Sequence, residues 1–147
     1  MTVSIFVDGA VAGTRFAGAA AIARTSEGYF LGWLSEQYDP MTNNEAEYHG
    51  VLLGLQLAKR LGLRQVEIVS DSQVVVRQML GQSRVNSNRL HVLHQQTVQR
   101  VATFKAVRFR HVLRNLNSLA DALATEALLG QTVNMRPAQS RGWLRPR

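Results

Sequence analysis

Cysteine is absent from the 147 residues. No disulfide framework and no thiolate metal site is therefore available, and a reducing, cytoplasmic compartment suits the chain. Long apolar runs are missing too: no stretch approaches the ~20 residues that a membrane span needs. The opening "MTVSIFVDGA" has no positive region ahead of an apolar one, which speaks against a signal peptide and against a membrane partner. Acid is scarce. Ten Asp and Glu stand against seventeen Lys and Arg, for a net charge of +7 and a pI near 11.0. Such an excess favours a polyanionic partner, nucleic acid above all. Its distribution blunts that inference, because residues 131–147, "QTVNMRPAQSRGWLRPR", hold Arg136, Arg141, Arg145 and Arg147 and no acid. The expected organisation is one domain over residues 1–130 and a basic, flexible tail over 131–147, either a solvated end or an accessory nucleic-acid contact. With 46% apolar and 18% charged residues, the body has the composition of an ordinary soluble domain large enough for one core, and it is expected to be a monomer.

"TVSIFVD" (2–8) is a β-branched, apolar run stopping at Asp-Gly, a turn signal, and "FAGAAAIAR" (16–24) and "GYFLGWLSE" (28–36) continue as a hairpin about "TSEG". A helix follows. Thr42 or Asn43 can cap it, Glu45 completes a capping box with Thr42, and Gly62 lies just past its end. "QVEIVS" (65–70) reads as a strand and "SQVVVRQML" (72–80) as a short helix closed by Gly81. "NRLHVLHQQTVQRVATF" (88–104) carries a helical stripe at 90, 93, 94, 98 and 101. "AVRFRHVL" (106–113) alternates as a strand, and "NSLADALATEALLG" (117–130) is a helix with an Asn cap. The order βββαβααβα predicts an α/β fold with a mixed five-stranded sheet, part antiparallel meander and part parallel crossovers, flanked by helices.

Three aspartates fall in equivalent places. Asp8 ends the first strand, Asp71 ends the fourth, and Asp121 lies in the first turn of the last helix, at the margin of an apolar face formed by 120, 123, 124, 127 and 128. Each alone is an ordinary turn or helix-start residue. Together they can meet outside the carboxyl ends of the strands, where open α/β sheets gather ligands. The segment "TNNEAEYHG" (42–50) offers a fourth acid in two candidates. Steps of three and four from Glu47 reach Val51, Gly54, Leu55, Ala58 and Leu61, the face that should pack on the sheet. The same steps from Glu45 reach His49, Leu52, Gln56, Lys59 and Arg60, a largely wet face. Glu47 is thus expected to point inward and Glu45 outward, as a capping residue. Four converging carboxylates repel one another and call for divalent metal; hard oxygen donors without thiolate or paired histidine favour Mg²⁺ or Mn²⁺, and two such ions suit an in-line phosphoryl displacement.

"FVDGA", "TNNEAEYHGVLLGL", "VSDSQVVVRQM" and "HVLRNLNSLADALA", in this order and spacing, closely resemble type 1 ribonuclease H, in the compact archaeal, bacterial and reverse-transcriptase-like branch, over residues 3–130. The resemblance places the family's acidic set on Asp8, Glu47, Asp71 and Asp121, as metal ligands and catalytic residues for two Mg²⁺ ions, with Mn²⁺ as a substitute. It implies endonucleolytic cleavage of the RNA strand of RNA–DNA hybrids, leaving 5′-phosphate and 3′-hydroxyl ends, and it admits double-stranded RNA as a further substrate. Asp8 would bridge the ions, Asp71 and Asp121 would serve the one that activates water, and Glu47 would serve the other, near the ribose 2′-hydroxyl. Gly9, Ala10, Asn43, Asn44 and Gln73 are the family-like contacts to that hydroxyl, although Asn43 and Asn44 equally suit helix caps. Two departures are visible. "LRNLNSLAD" has no histidine, so Arg114 would replace the family's loop histidine, and only electrostatically, since arginine stays protonated. The basic protrusion is also missing, so substrate grip would fall to Arg77, Arg84, Arg89 and the tail. A catalytically silent hybrid-binding domain of the same fold is the alternative, which a repulsive acidic cluster disfavours.

Overall fold

The computed structural model describes residues 2–12 and 15–130; the expected basic tail, 131–147, lies outside them. Three antiparallel strands open the chain: β1 (Val3–Val11), β2 (Ala17–Thr25) and β3 (Phe30–Tyr38). Then come α1 (Asn43–Arg60), β4 (Gln65–Ser70), α2 (Gln73–Met79), α3 (Asn88–Val101), β5 (Ala106–His111), a 3-10 turn (Arg114–Leu116) and α4 (Ser118–Leu128). The sheet order is β3-β2-β1-β4-β5, with β4 and β5 running parallel to β1. The expected mixed five-stranded sheet is therefore present, with the expected element order. Among the described residues no helix is long and apolar enough to cross a membrane.

Alternation along β1 divides the two layers. Ile5 and Val7 are fully buried in a core with Val51, Leu55 and Ile68, beneath α1. Asp8 and Ala10 share the other face with their partners Ala20 and Gly18, and Gly18 lies against Ala124 and Leu128 of α4. A β-carbon on Gly18 would run into that helix's backbone. Alanine-rich β2 thus suits a strand pressed between two helices, where only small side chains fit.

Two local expectations need correction. Asp8-Gly9 is no turn: β1 continues to Val11, because Gly9 lets the α1 backbone approach at Ala46, where any side chain would collide. Gly50 completes that contact from the helix side, since its β-carbon would come within 2.7 Å of the Asp8 carbonyl oxygen. On α3 the buried stripe runs through Leu90 and Thr97; Val98, read as part of it, is 45% exposed. Thr97 can be buried because its hydroxyl donates to the Leu93 carbonyl at 2.7 Å.

Candidate active site

The site arises from a mismatch in strand length. β4 pairs with β1 only as far as Val7↔Ser70, whereas β2 follows β1 to Val11↔Ala17. Past Ser70, one side of β1 is left without a strand partner, and this notch is where the acids collect. Asp71 follows β4 immediately, and Asp8 lies one residue beyond Val7 on β1. Glu47 reaches in from the first turns of α1, and its Oε1 accepts the Gly9 amide at 2.9 Å. Carboxylate oxygens of Asp8, Glu47 and Asp71 all lie within 4.8 Å of one another, the one such cluster of potential metal ligands among the described residues. Asp121, in the first turn of α4, is outside that tight group but lies near enough to Asp8 to help raise its carboxyl.

Electrostatics sets the cluster apart. Burial first, then the surrounding Glu47, Asp71 and Asp121, drive the Asp8 carboxyl far above the ordinary carboxylate range. Burial also pushes Glu47 up, to about 7, against the lowering effects of the Asp8 hydrogen bond, the Gly9 amide and the Arg114 charge. Without a cation the pair thus retains a proton at neutral pH. Hard, oxygen-only donors this close, with Asp8 only 3% exposed, fit a divalent cation such as Mg²⁺ or Mn²⁺, which would replace that proton.

Of the residues expected in the site, Gly9, Ala10, Asn43, Gln73 and Arg114 line one cleft of about 590 Å³ with Asp8, Glu47, Asp71 and Asp121. Arg77 and Arg84 line an adjoining groove of about 410 Å³, which shares Gln73 with the first. A buried relay shapes that groove: the Tyr48 hydroxyl donates to Gln78 Oε1 at 2.7 Å, and Gln78 Nε2 donates to the Arg84 carbonyl at 2.9 Å. Neither Tyr48 nor Gln78 stood out in the sequence, since an aromatic on a helix reads as core. Asn44 is half-buried and does not line the cleft. Neither asparagine is the N-cap. Thr42 is, with the full reciprocal capping box to Glu45. His111 is exposed at the end of β5.

The outward placement of Glu45 is overturned. It is 5% exposed, because Arg89 at the start of α3 folds over it, with Nε 2.8 Å from Glu45 Oε2. Asn117 is also reassigned: it occupies the N-cap position of α4 without capping through its side chain. Instead its Nδ2 donates to the Val7 carbonyl at 2.9 Å and to Asp71 Oδ2 at 3.3 Å.

The strand order and the acidic notch beside the parallel pair define a ribonuclease H-like fold. A family profile described as reverse transcriptase-like matches residues 6–127, and the chain belongs to that family as a type 1 ribonuclease H. The bifunctional protein Rv2228c of Mycobacterium tuberculosis is 37% identical over 87 residues, 59% of this chain and 24% of its own length. The solved N-terminal RNase H domain of that protein superposes with a TM-score of 0.82 at 32% identity, over 95% of this chain and 98% of the other. Ribonuclease HI of Halobacterium salinarum is 36% identical over 87 residues, 59% of this chain and 44% of its own. The matched curated relatives are thus longer proteins, of which this chain spans less than half. LC11-RNase H1, solved in complex with an RNA/DNA hybrid, superposes with a TM-score of 0.82 at 27% identity, over 88% of this chain and 98% of the other.

Proposed function

We propose that the protein is an endonuclease that hydrolyses the RNA strand of RNA–DNA hybrids, leaving 5′-phosphate and 3′-hydroxyl ends, in the cytoplasm. One observation carries the reading: three buried or half-buried carboxylates are crowded within 4.8 Å, and among the described residues no ion pair joins any of them to a basic side chain. Such a cluster is electrostatically unfavourable and gains its sense from divalent metal. Two Mg²⁺ ions, or Mn²⁺ in their place, would lower the pKa of the attacking water and neutralise charge on the leaving oxygen. Asp8, Glu47 and Asp71 would hold them, with Asp121 completing the set from α4. The chain's remaining task is to place the substrate. Gly9, Ala10, Asn43 and Gln73 line the cleft where a ribose 2′-hydroxyl, present in RNA alone, can be both donor and acceptor. Arg77 and Arg84, in the adjoining groove, suit backbone phosphates of the duplex. Arg89 lines neither cleft nor groove, but its side chain is exposed while its Nε holds Glu45, and it would add positive charge for the same phosphates. Arg114, exposed at the cleft margin, adds positive potential without moving protons.

The test is incubation of the full chain with labelled RNA–DNA hybrid, RNA duplex and DNA duplex, in Mg²⁺, Mn²⁺ or EDTA, beside Asp8→Asn. Metal-dependent cutting of the hybrid's RNA strand, lost in Asp8→Asn, is expected. Hybrid left whole in both metals would reject the activity and leave a hybrid-binding domain; cutting that survives Asp8→Asn would reject the site.

A further inference from the structure

Asn117 stands where the 3-10 turn passes into α4, and it is 2% exposed. Helix starts are commonly capped by an asparagine side chain, but here only the backbone takes part, the Asn117 carbonyl accepting the Asp121 amide at 3.1 Å. The side-chain nitrogen instead serves two acceptors, the Val7 carbonyl and Asp71 Oδ2. Neither of them can donate while Asp71 is ionised, so the amide's orientation follows from chemistry: nitrogen toward strand and carboxylate, oxygen away. The buried Oδ1 has no partner among the described residues. A group whose only task was to start a helix would gain nothing from that arrangement, which spends both N–H groups elsewhere and strands an oxygen.

The two acceptors lie on neighbouring parallel strands. Val7 is the last β1 residue paired to β4, and Asp71 follows the end of β4. The amide therefore ties β1, at its last residue paired to β4, to the residue that follows the end of β4, and it does so from the turn that leads to Asp121. Holding one oxygen of Asp71 fixes the plane of the carboxylate and the direction of its other oxygen. A neutral donor suits the position. Lysine or arginine would bring a charge that competes with a cation for the cluster, and a carboxylate or carbonyl would repel Asp71.

We propose that Asn117 is a positioning residue that presets the Asp71 carboxylate for the divalent cation. The inference rests on the function proposed above and adds to it a residue that touches neither metal nor substrate. Partners of this kind, one step out from a metal, typically change affinity by roughly 10–100-fold when removed.

Calorimetric titration of Mn²⁺ into the full chain and into Asn117→Ala, well below the unfolding temperature of each, tests this directly. Asn117→Ala should bind Mn²⁺ about tenfold more weakly. In hybrid cleavage it should lower kcat at limiting metal, recover as metal is raised, and leave KM for hybrid nearly unchanged. Should Asn117→Ala fail to fold, the metal-free wild type still decides. Both side-chain amide protons of Asn117 should show slow exchange by NMR, one of them should lose protection in Asp71→Ala, and Mg²⁺ should shift both resonances. Mn²⁺ affinity in a folded Asn117→Ala within about twofold of wild type would overturn the role. So would side-chain amide protons that exchange as in a free asparagine. A wild type that neither binds Mn²⁺ nor cleaves hybrid would sink the proposed function instead, so the two failures are distinguishable.

Discussion

Glu45 and Glu47 stand two residues apart on α1, and their surroundings are opposite. Glu45 is buried but fully served: one oxygen accepts the Thr42 amide at 2.8 Å and the other meets Arg89 at 2.8 Å. Glu67, on β4, is served in the same manner by Ser4, Arg110 and Arg108, and its carboxyl is held below the usual range by Ser4 and Arg110 against the opposing pull of burial. Glu47 has the Gly9 amide and the more distant Arg114, and faces Asp8 and Asp71. Where carboxylates serve the fold, the chain supplies their cation. Where it leaves them without one, as in the notch, it leaves room for an ion from solution. The contrast can be broken by neutralising acids one at a time and asking whether activity or stability responds.

The largest effect is expected at the notch. Asp8→Asn and Glu47→Gln should each lower hybrid cleavage by roughly a thousandfold or more, measured as initial rates at saturating Mg²⁺. Neither should destabilise the metal-free protein in urea denaturation, because each relieves the crowding of carboxyls that burial and mutual repulsion already disfavour. A large loss of stability in either would mean that these acids hold the fold together, and the contrast with Glu45 would collapse.

A pH dependence follows from the same crowding. Raised pKa values mean that the folded, metal-free protein binds protons that the unfolded chain releases, so its stability should fall as pH rises from the ordinary carboxylate range, about 4, through the Glu47 value of about 7. Asp8, shifted the same way, extends the window upward. One proton contributes at most about 1.4 kcal/mol per pH unit. Urea midpoints in EDTA between pH 5 and 8 should therefore decline, and Mg²⁺ or Asp8→Asn should flatten the decline. An identical slope in wild type and Asp8→Asn would show that the notch does not hold the proton.

Glu45→Gln should do the reverse of Glu47→Gln. Losing the box carboxylate and the Arg89 pair should cost roughly 1–2 kcal/mol of stability, while most of the hybrid cleavage remains. Equal losses of activity in the two variants would refute the division of labour on this turn.

How far the sequence disclosed these roles depended on how local each cause is. Element order, the Thr42 capping box and the inward aim of Glu47 were all readable, since each follows from spacing along one element. The burial of Glu45 was not, because its cause is Arg89, carried on another helix. The Asp-Gly pair at 8–9 carries a turn signal, yet the strand runs through it because α1 needs a glycine to lie against. Asn117 presents the composition of a cap, but its partners Val7 and Asp71 lie 110 and 46 residues away. Local propensity gave way in each case where a distant backbone or charge offered a better partner.

The smallest effect, and the sharpest control, is expected at Glu67. Its oxygens hold Ser4 at 2.8 Å, Arg110 at 3.2 Å and Arg108 at 3.9 Å, but both arginines are exposed, with side-chain exposures of 47% and 80%. Screened pairs of this kind contribute about 0.5 kcal/mol, so Glu67→Gln should shift the urea midpoint slightly and leave hybrid cleavage unchanged. The lowered pKa makes this contribution present above the ordinary glutamate range and lost as pH falls below it, so the difference between wild type and Glu67→Gln should vanish in acid. That trend is opposite in sign to the one expected at the notch. A cleavage defect in Glu67→Gln would show that charge anywhere on this sheet tunes the activity, and would remove the reason to single out the acids that lack arginine.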